Sequence, residues 1–273
     1  MRAIAAAVAL LGALLGLGGC REAPSSGPAA ARSGAGQRPA LLVAAAADLR
    51  PAFTELGRAF TERTGTDVTF AFGSSGQLAQ QIANGAPFDL FAAANLGYVD
   101  EVVAAGRGDP RSRRTYALGR IVIWSRRTPY ADLAHLAADT TVRRIAIANP
   151  DHAPYGAAAE QALERAGLDA ALRPRLVYGE NVSDALRLAE SGNADAAIVA
   201  LSLATTSGGR WTLIPRRLHD PLEQALVVTS ESDHRARLAR RFADLVSSRE
   251  GRRVLRRYGF LPPGQEAPVA ASR

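Results

Sequence analysis

The chain is 273 residues long, with 33 basic against 26 acidic side chains and a formal charge of +7. The basic residues are all arginine, and they are scattered (Arg111, Arg113, Arg114; Arg216, Arg217; Arg252, Arg253, Arg256, Arg257) rather than set in an aromatic-studded stripe, which argues against a nucleic-acid partner. A single cysteine excludes an intrachain disulfide and any metal site built on thiolates.

Residues 1–20 combine a basic start at Arg2, an apolar run from Ala3 to Leu17 and the segment Leu17-Gly18-Gly19-Cys20. The run falls short of the roughly 20 apolar residues that span a bilayer, so it reads as an export signal. LGGC resembles a lipoprotein signal motif whose cysteine is lipidated, which makes 1–20 a lipoprotein signal peptide and Cys20 the lipid anchor; a soluble periplasmic protein cleaved nearby is the alternative. Residues 21–39, rich in Ala, Gly, Pro and Ser without apolar period, read as a flexible tether.

Leu41–Ala46 is a short apolar strand, and Asp48 stands where an N-cap would open a helix running through Phe53, Leu56 and Phe60 to Gly65. Val68, Phe70 and Phe72 alternate as a strand does, Gly73-Ser74-Ser75-Gly76 makes a turn, and Leu78, Ala79 and Ile82 fall on one helical face. Asp89–Ala92 is a second buried strand, followed by a helix over Val99–Ala105. Tyr116–Ser125 reads as one strand and Leu133–Leu136 as a short helix. A second round follows: strand Arg144–Ala148, a Pro- and Gly-punctuated loop from Asn149 to Gly156, helix Ala157–Ala166, strand Leu176–Tyr178, helix Val182–Ser191 and buried strand Ala196–Val199. Leu226–Thr229 is a strand, Arg235–Ser247 a helix, and Arg252–Tyr258 a last helical stretch.

Short apolar strands alternating with helices predict an α/β fold with mostly parallel sheets. Two rounds predict two lobes: 40–117 with 226–264, and 118–225, with 265–273 a disordered tail. A ligand would then sit between the lobes, where helix N-termini converge. Four loops are placed to reach it: Ala47–Leu49, Gly73–Gly76, Pro154–Gly156 and Glu180–Ser183. The strand–GSSG–helix unit supports this, because the first N–H groups of a helix lack internal partners and, with the Ser74 and Ser75 hydroxyls, can hold an anion. An ordinary serine cap is the competing reading of that turn.

These motifs carry a family resemblance. AAADL (Ala45–Leu49), FGSSGQLAQQI and NGAPFDLF (within Phe72–Phe91), RIAIANPDHAPYG (Arg144–Gly156), GENVSDAL (Gly179–Leu186), NADAAIVALS (Asn193–Ser202) and RYGF (Arg257–Phe260) occur in order. Together they resemble the substrate-binding proteins of bacterial molybdate ABC transporters, which are type II periplasmic binding proteins, over nearly all of Leu41–Leu261. The resemblance implies a two-lobed receptor that grips a tetrahedral dianion, molybdate or tungstate, with hydroxyls and main-chain amides and hands it to a permease. It implies ligand contacts from Ser75, with Ser74 beside it, and from the amides of Tyr155 and Val182. Metal would enter only as part of the oxyanion, with no cofactor, and the receptor would be a monomer held at the cell envelope by the Cys20 lipid.

Two positions depart from the family and suggest a divergent branch. Asp48 stands where a serine hydroxyl is usual, and Ala200 near a usual tyrosine. An ionised Asp48 against a bare dianion sets like charge on like charge. Three arrangements relieve this: the carboxylate caps its own helix, it accepts from a protonated ligand, or it meets a cation or cationic ligand. The receptor could therefore take a protonated, phosphate-like oxyanion or a small organic anion instead. Asn95, Asn181, Ala200 and His219 are further candidates for the pocket lining, His219 alternatively pairing with its own backbone or Asp220. His152 would hold the Tyr155 loop in shape. Ser75, His219 and Asp48 superficially supply a hydrolase triad, but no GxSxG elbow is present. A signalling module that has lost its ligand is a third class, against which the anion-ready GSSG turn argues.

Overall fold

The computed structural model describes residues 40–264; the signal peptide, Cys20, the tether and the tail at 265–273 lie outside them. The first part of the chain forms β1 (Ala40–Ala46), α1 (Arg50–Thr64), β2 (Asp67–Gly73), α2 (Ser75–Ala83), β3 (Leu90–Ala93), α3 (Leu96–Ala104) and β4 (Arg114–Gly119). The middle forms β5 (Ile121–Ser125), α4 (Leu133–Ala138), β6 (Ile145–Ala148), α5 (Pro154–Arg165), α6 (Asp169–Leu172), β7 (Leu176–Gly179), α7 (Val182–Glu190), β8 (Ala196–Ala200), α8 (Leu201–Ala204) and β9 (Arg210–Leu213). The chain returns through β10 (Leu222–Val228) to α9 (Asp233–Ser247) and α10 (Arg249–Arg257).

Two five-stranded sheets result, ordered β2-β1-β3-β10-β4 and β7-β6-β8-β5-β9. The repeated strand–helix rhythm produces the parallel ladders β1–β2, β1–β3, β6–β7 and β6–β8. The strands that carry the chain between the lobes run the other way, so β10 is antiparallel to β3 and β4, and β5 to β8 and β9. Each sheet is therefore mixed, with as many antiparallel ladders as parallel ones, where the sequence rhythm predicts mostly parallel sheets. The run Tyr116–Ser125 is correspondingly two strands in two sheets, broken at Arg120, whose Nε donates to the Gly259 carbonyl at 2.8 Å. Strand β4 through Gly119 and β10 from Leu222 both belong to the first sheet, so the chain changes lobe after 119 and before 222, where the sequence places the limits at 117 and 226. Strand β9 has no counterpart in the sequence reading; flanked by Gly209 and Pro215, its four residues are too few to show a period.

The strands β1, β3, β6 and β8 are built from Ala, Val, Leu, Ile and Phe and are almost wholly buried, because helices cover both faces of each sheet. In the first lobe α1 and α9 set Phe53 and Phe242 against Phe70 of β2, with Phe60 edge-on to Phe242 and ring centroids 5.4–6.1 Å apart. Each such phenylalanine contributes about 1.5–3 kcal/mol through burial. Helix α1 ends at Gly65, whose φ of +68° is a left-handed conformation that glycine adopts without strain. Its start differs from expectation. Leu49 holds the N-cap position with no side-chain cap, and Asp48 lies one residue earlier in a 3-10 turn, Ala47–Leu49. Helix α5 begins at Pro154, three residues before the apolar period does, so Tyr155 sits in its first turn.

Candidate functional site

A small cavity lies between the two sheets, lined by Ala46–Asp48 after β1, Gly73–Ser75 after β2, Ala94 after β3, Ala153–Tyr155 at the start of α5, and Asn181 and Val182 at the start of α7. Each segment is a strand end or a helix start. The opening N–H groups of α2, α5 and α7 have no partners within their own helices, and the three helix dipoles turn positive ends toward the same point. Ser75 is 1% exposed, and its Oγ accepts the Ala94 N–H at 3.0 Å, leaving its own proton for another acceptor. Such a site offers donors without a formal cation and suits an anion.

The lobes meet around this cavity. Ser74 Oγ donates to the His152 carbonyl at 2.5 Å and lies 2.7 Å from its Nδ1, and the Gly76 N–H donates to the same carbonyl at 2.9 Å. Ser202 Oγ donates to the Asp48 carbonyl at 2.8 Å, Ser183 Oγ to that of Ala47 at 3.3 Å, and Gln77 Nε2 to Glu180 Oε2 at 3.0 Å. Ser74, expected beside Ser75 as a ligand hydroxyl, thus spends its hydrogen-bonding capacity on the opposite lobe.

Asp48 is fully buried, and its Oδ2 accepts the Tyr155 hydroxyl proton at 3.0 Å. Gln224 Nε2 lies 3.5 Å from the same hydroxyl. The carboxylate therefore does not cap α1, since the 3-10 turn carries it away from that helix's N–H groups and toward the other lobe. Burial pushes its pKa up to about 7 against the lowering effect of the Tyr155 hydrogen bond. Burial also holds the Tyr155 and Tyr116 phenols well above the usual tyrosine range, so both remain proton donors. The β4–β10 ladder skips Tyr116, a bulge that leaves this residue unpaired beside the site.

The structure gathers Asp48, Ser74, Ser75, Tyr155, Asn181 and Val182 around one cavity. Three candidates fall elsewhere. Asn95 is exposed and caps α3, accepting the Gly97 N–H at 2.6 Å. Ala200 is sealed at the end of β8, where pairing with Ile121 of β5 holds it. His219 lines a separate hollow with Leu118, Arg216 and Arg217, its Nδ1 2.7 Å from the Asp220 carbonyl, a contact within its own turn. Asn181 lines the cavity while capping α7, accepting from Ser183 and Asp184. Gln224, absent from the sequence-derived candidates, shares a strand face with Leu222 and Leu226, and an amide on an apolar face is a legible signal. Among the described residues no group of three or more His, Cys, Asp or Glu side chains could hold a metal ion.

Two α/β lobes closing over a donor-lined cavity define a solute-binding receptor. Residues 41–261 match the family of bacterial extracellular solute-binding proteins, and the chain belongs to that family. Among its relatives is the molybdate-binding protein ModA of Rhodobacter capsulatus, 35% identical over 223 residues that cover 81% of this chain and 88% of that protein. ModA of Escherichia coli strain K12 is 30% identical over 81% of this chain and 88% of its own. The solved periplasmic molybdate-binding protein of Azotobacter vinelandii superposes with a TM-score of 0.77 at 31% identity, covering 82% of this chain and 99% of that one. The sulfate-binding protein SubI of Mycobacterium tuberculosis, at 18% identity and a TM-score of 0.68, shares the fold. Family membership makes the chain a transport receptor of the periplasmic or extracellular space and not an enzyme.

Proposed function

We propose that this chain is the receptor of an ABC importer for a tetrahedral oxyanion, molybdate or tungstate, and that it holds the anion through the Ser75 hydroxyl and the main-chain N–H groups of Tyr155 and Val182. The observation that carries this is the engagement of the Asp48 carboxyl by the Tyr155 hydroxyl. The charge that would repel a dianion is paired with a donor from the other lobe, and near neutral pH it is part-protonated. The like-charge conflict posed by the sequence is relieved by this pairing, a fourth route beside capping, a protonated ligand and a cation. Asp48 then belongs to the wall of the site, and Asn181 holds the start of α7 in place. The receptor acts as a monomer, delivers its anion to the permease, and stays at the membrane through lipid on Cys20.

Closure selects the ligand, because each oxygen enclosed away from water needs a donor. Native mass spectrometry and calorimetry of the full chain against molybdate, tungstate, sulfate, phosphate and small organic anions test the proposal. Molybdate and tungstate are expected to bind one per chain and to outcompete the others. Preference for a protonated phosphate species or an organic anion would overturn the ligand assignment. Absence of binding to every anion would overturn the site.

A further inference from the structure

We propose that the Tyr155 side chain is a closure latch: its phenol crosses from the second lobe into a socket of Asp48, Gln224 and Gly119 in the first, and seating it sets the balance between open and closed receptor. The inference rests on the receptor reading above and concerns how that site closes. Asp48 and Gln224 act through Tyr155 and are positioning residues.

Three separate segments of the first lobe build the socket: the turn after β1, the end of β4 and the middle of β10. Asp48 Oδ2 accepts the phenol proton at 3.0 Å, and Gln224 Nε2 approaches the same oxygen at 3.5 Å. The remaining wall is shaped by a missing side chain. A Cβ on Gly119 would stand 2.2 Å from the Tyr155 hydroxyl oxygen and 3.0 Å from Gln224 Nε2. Gly119 has no left-handed φ, so its glycine serves space and not backbone freedom. Tyr155 is only 2% exposed and its ring is part of the hydrophobic core, while the partners of its hydroxyl, Asp48 and Gln224, lie across the cleft.

Seating the phenol also fixes the main chain that bears it. Tyr155 lies in the first turn of α5, and its N–H is one of the donors proposed for the anion. A rigid ring anchored at its hydroxyl therefore aligns that N–H as the lobes meet. The latch has a built-in limit. Asp48 Oδ1, Gln224 Oε1 and the Tyr116 hydroxyl are buried in the closed form without a hydrogen-bond partner among the described residues. Opening returns these atoms to water, which offsets part of the latch's gain and leaves release available.

The test joins small-angle X-ray scattering of the ligand-free full chain with calorimetric titration by molybdate. Tyr155→Phe is expected to shift the ligand-free protein toward the larger, open particle and to weaken molybdate binding about tenfold or more, because it leaves a buried carboxyl unpaired. Gly119→Ala, which fills the socket and leaves Tyr155 intact, is expected to do the same. Asp48→Asn keeps an acceptor for the phenol and is expected to retain the closed particle. Adding Asp48→Leu to Tyr155→Phe removes both polar partners and is expected to restore compactness, a rescue that general damage to the fold would not show. Wild-type compactness and affinity in both Tyr155→Phe and Gly119→Ala would overturn the latch. If the wild-type chain binds no anion, the proposed function falls while the scattering series still decides the latch.

Discussion

The Ser75 side of the cleft and the Asp48 side are made of different materials. Around Ser75 the groups facing the cavity are main-chain N–H groups at helix starts and one hydroxyl, none of which titrates near neutral pH. Around Asp48 the lobes meet through a carboxyl, a phenol and a primary amide, with the carboxyl shifted to about 7. On the proposed function, the first side recognises an anion by geometry and dipole. On the latch proposal, the second controls whether the lobes come together. Recognition and closure can thus be altered separately, and the two sets of substitutions should leave different signatures.

Among the substitutions, the largest effect is expected from Ser75→Ala. It removes a ligand donor and also the acceptor of the Ala94 N–H, so oxyanion affinity by calorimetry should fall about a hundredfold. The same variant should lose about 1–3 kcal/mol of stability in thermal unfolding, for the N–H left unpaired. An unaltered affinity would place the anion away from α2.

Next comes pH dependence. The closed form holds the Asp48 proton with a pKa near 7, whereas water reaching the carboxyl in the open form returns it toward the ordinary aspartate value of 3.8. Closure therefore takes up a proton. Binding should be strongest at low pH, weaken by up to about tenfold per unit as pH rises toward 7, and level off above it. The groups facing the carboxyl are Tyr155, Gln224 and Tyr116, with Arg120 near Tyr155; the two phenols titrate far above this window. Asp48→Asn should flatten the profile between pH 5 and 8, and a slope that survives the substitution would assign the proton elsewhere.

Smaller effects follow at the rim. His152→Ala removes an imidazole contact to Ser74 but leaves the carbonyl contacts, so affinity should fall about threefold to fivefold. Glu180→Gln disturbs an exposed hydrogen bond to Gln77 and should change affinity less than about twofold. An ordering in which the rim outweighs Ser75 would reverse the comparison.

What could be read from the chain itself follows the same division. The GSSG turn, the glycine stop at Gly65 and the start of α7 at Asn181-Val182 are local, since turn chemistry and apolar period lie within a few neighbours. The site's main-chain donors were legible for that reason. Asp48 finds its partner 107 residues away, and no local pattern separates a capping aspartate from one that reaches another lobe. Gly119 inside an apolar run reads as strand, because the phenol that needs its empty space comes 36 positions later (155 − 119). The split of Tyr116–Ser125 into two strands was hidden too, since both halves are apolar and only pairing with β10 and β8 sends them to different sheets.

The most direct measurement is anomalous diffraction from crystals of the protein grown with tungstate. The account predicts one tungsten peak per chain between the lobes, with tungstate oxygens within about 2.7–3.2 Å of Ser75 Oγ and of the Tyr155 and Val182 main-chain nitrogens. A peak bound elsewhere on the surface, with these donors facing only water, would contradict it.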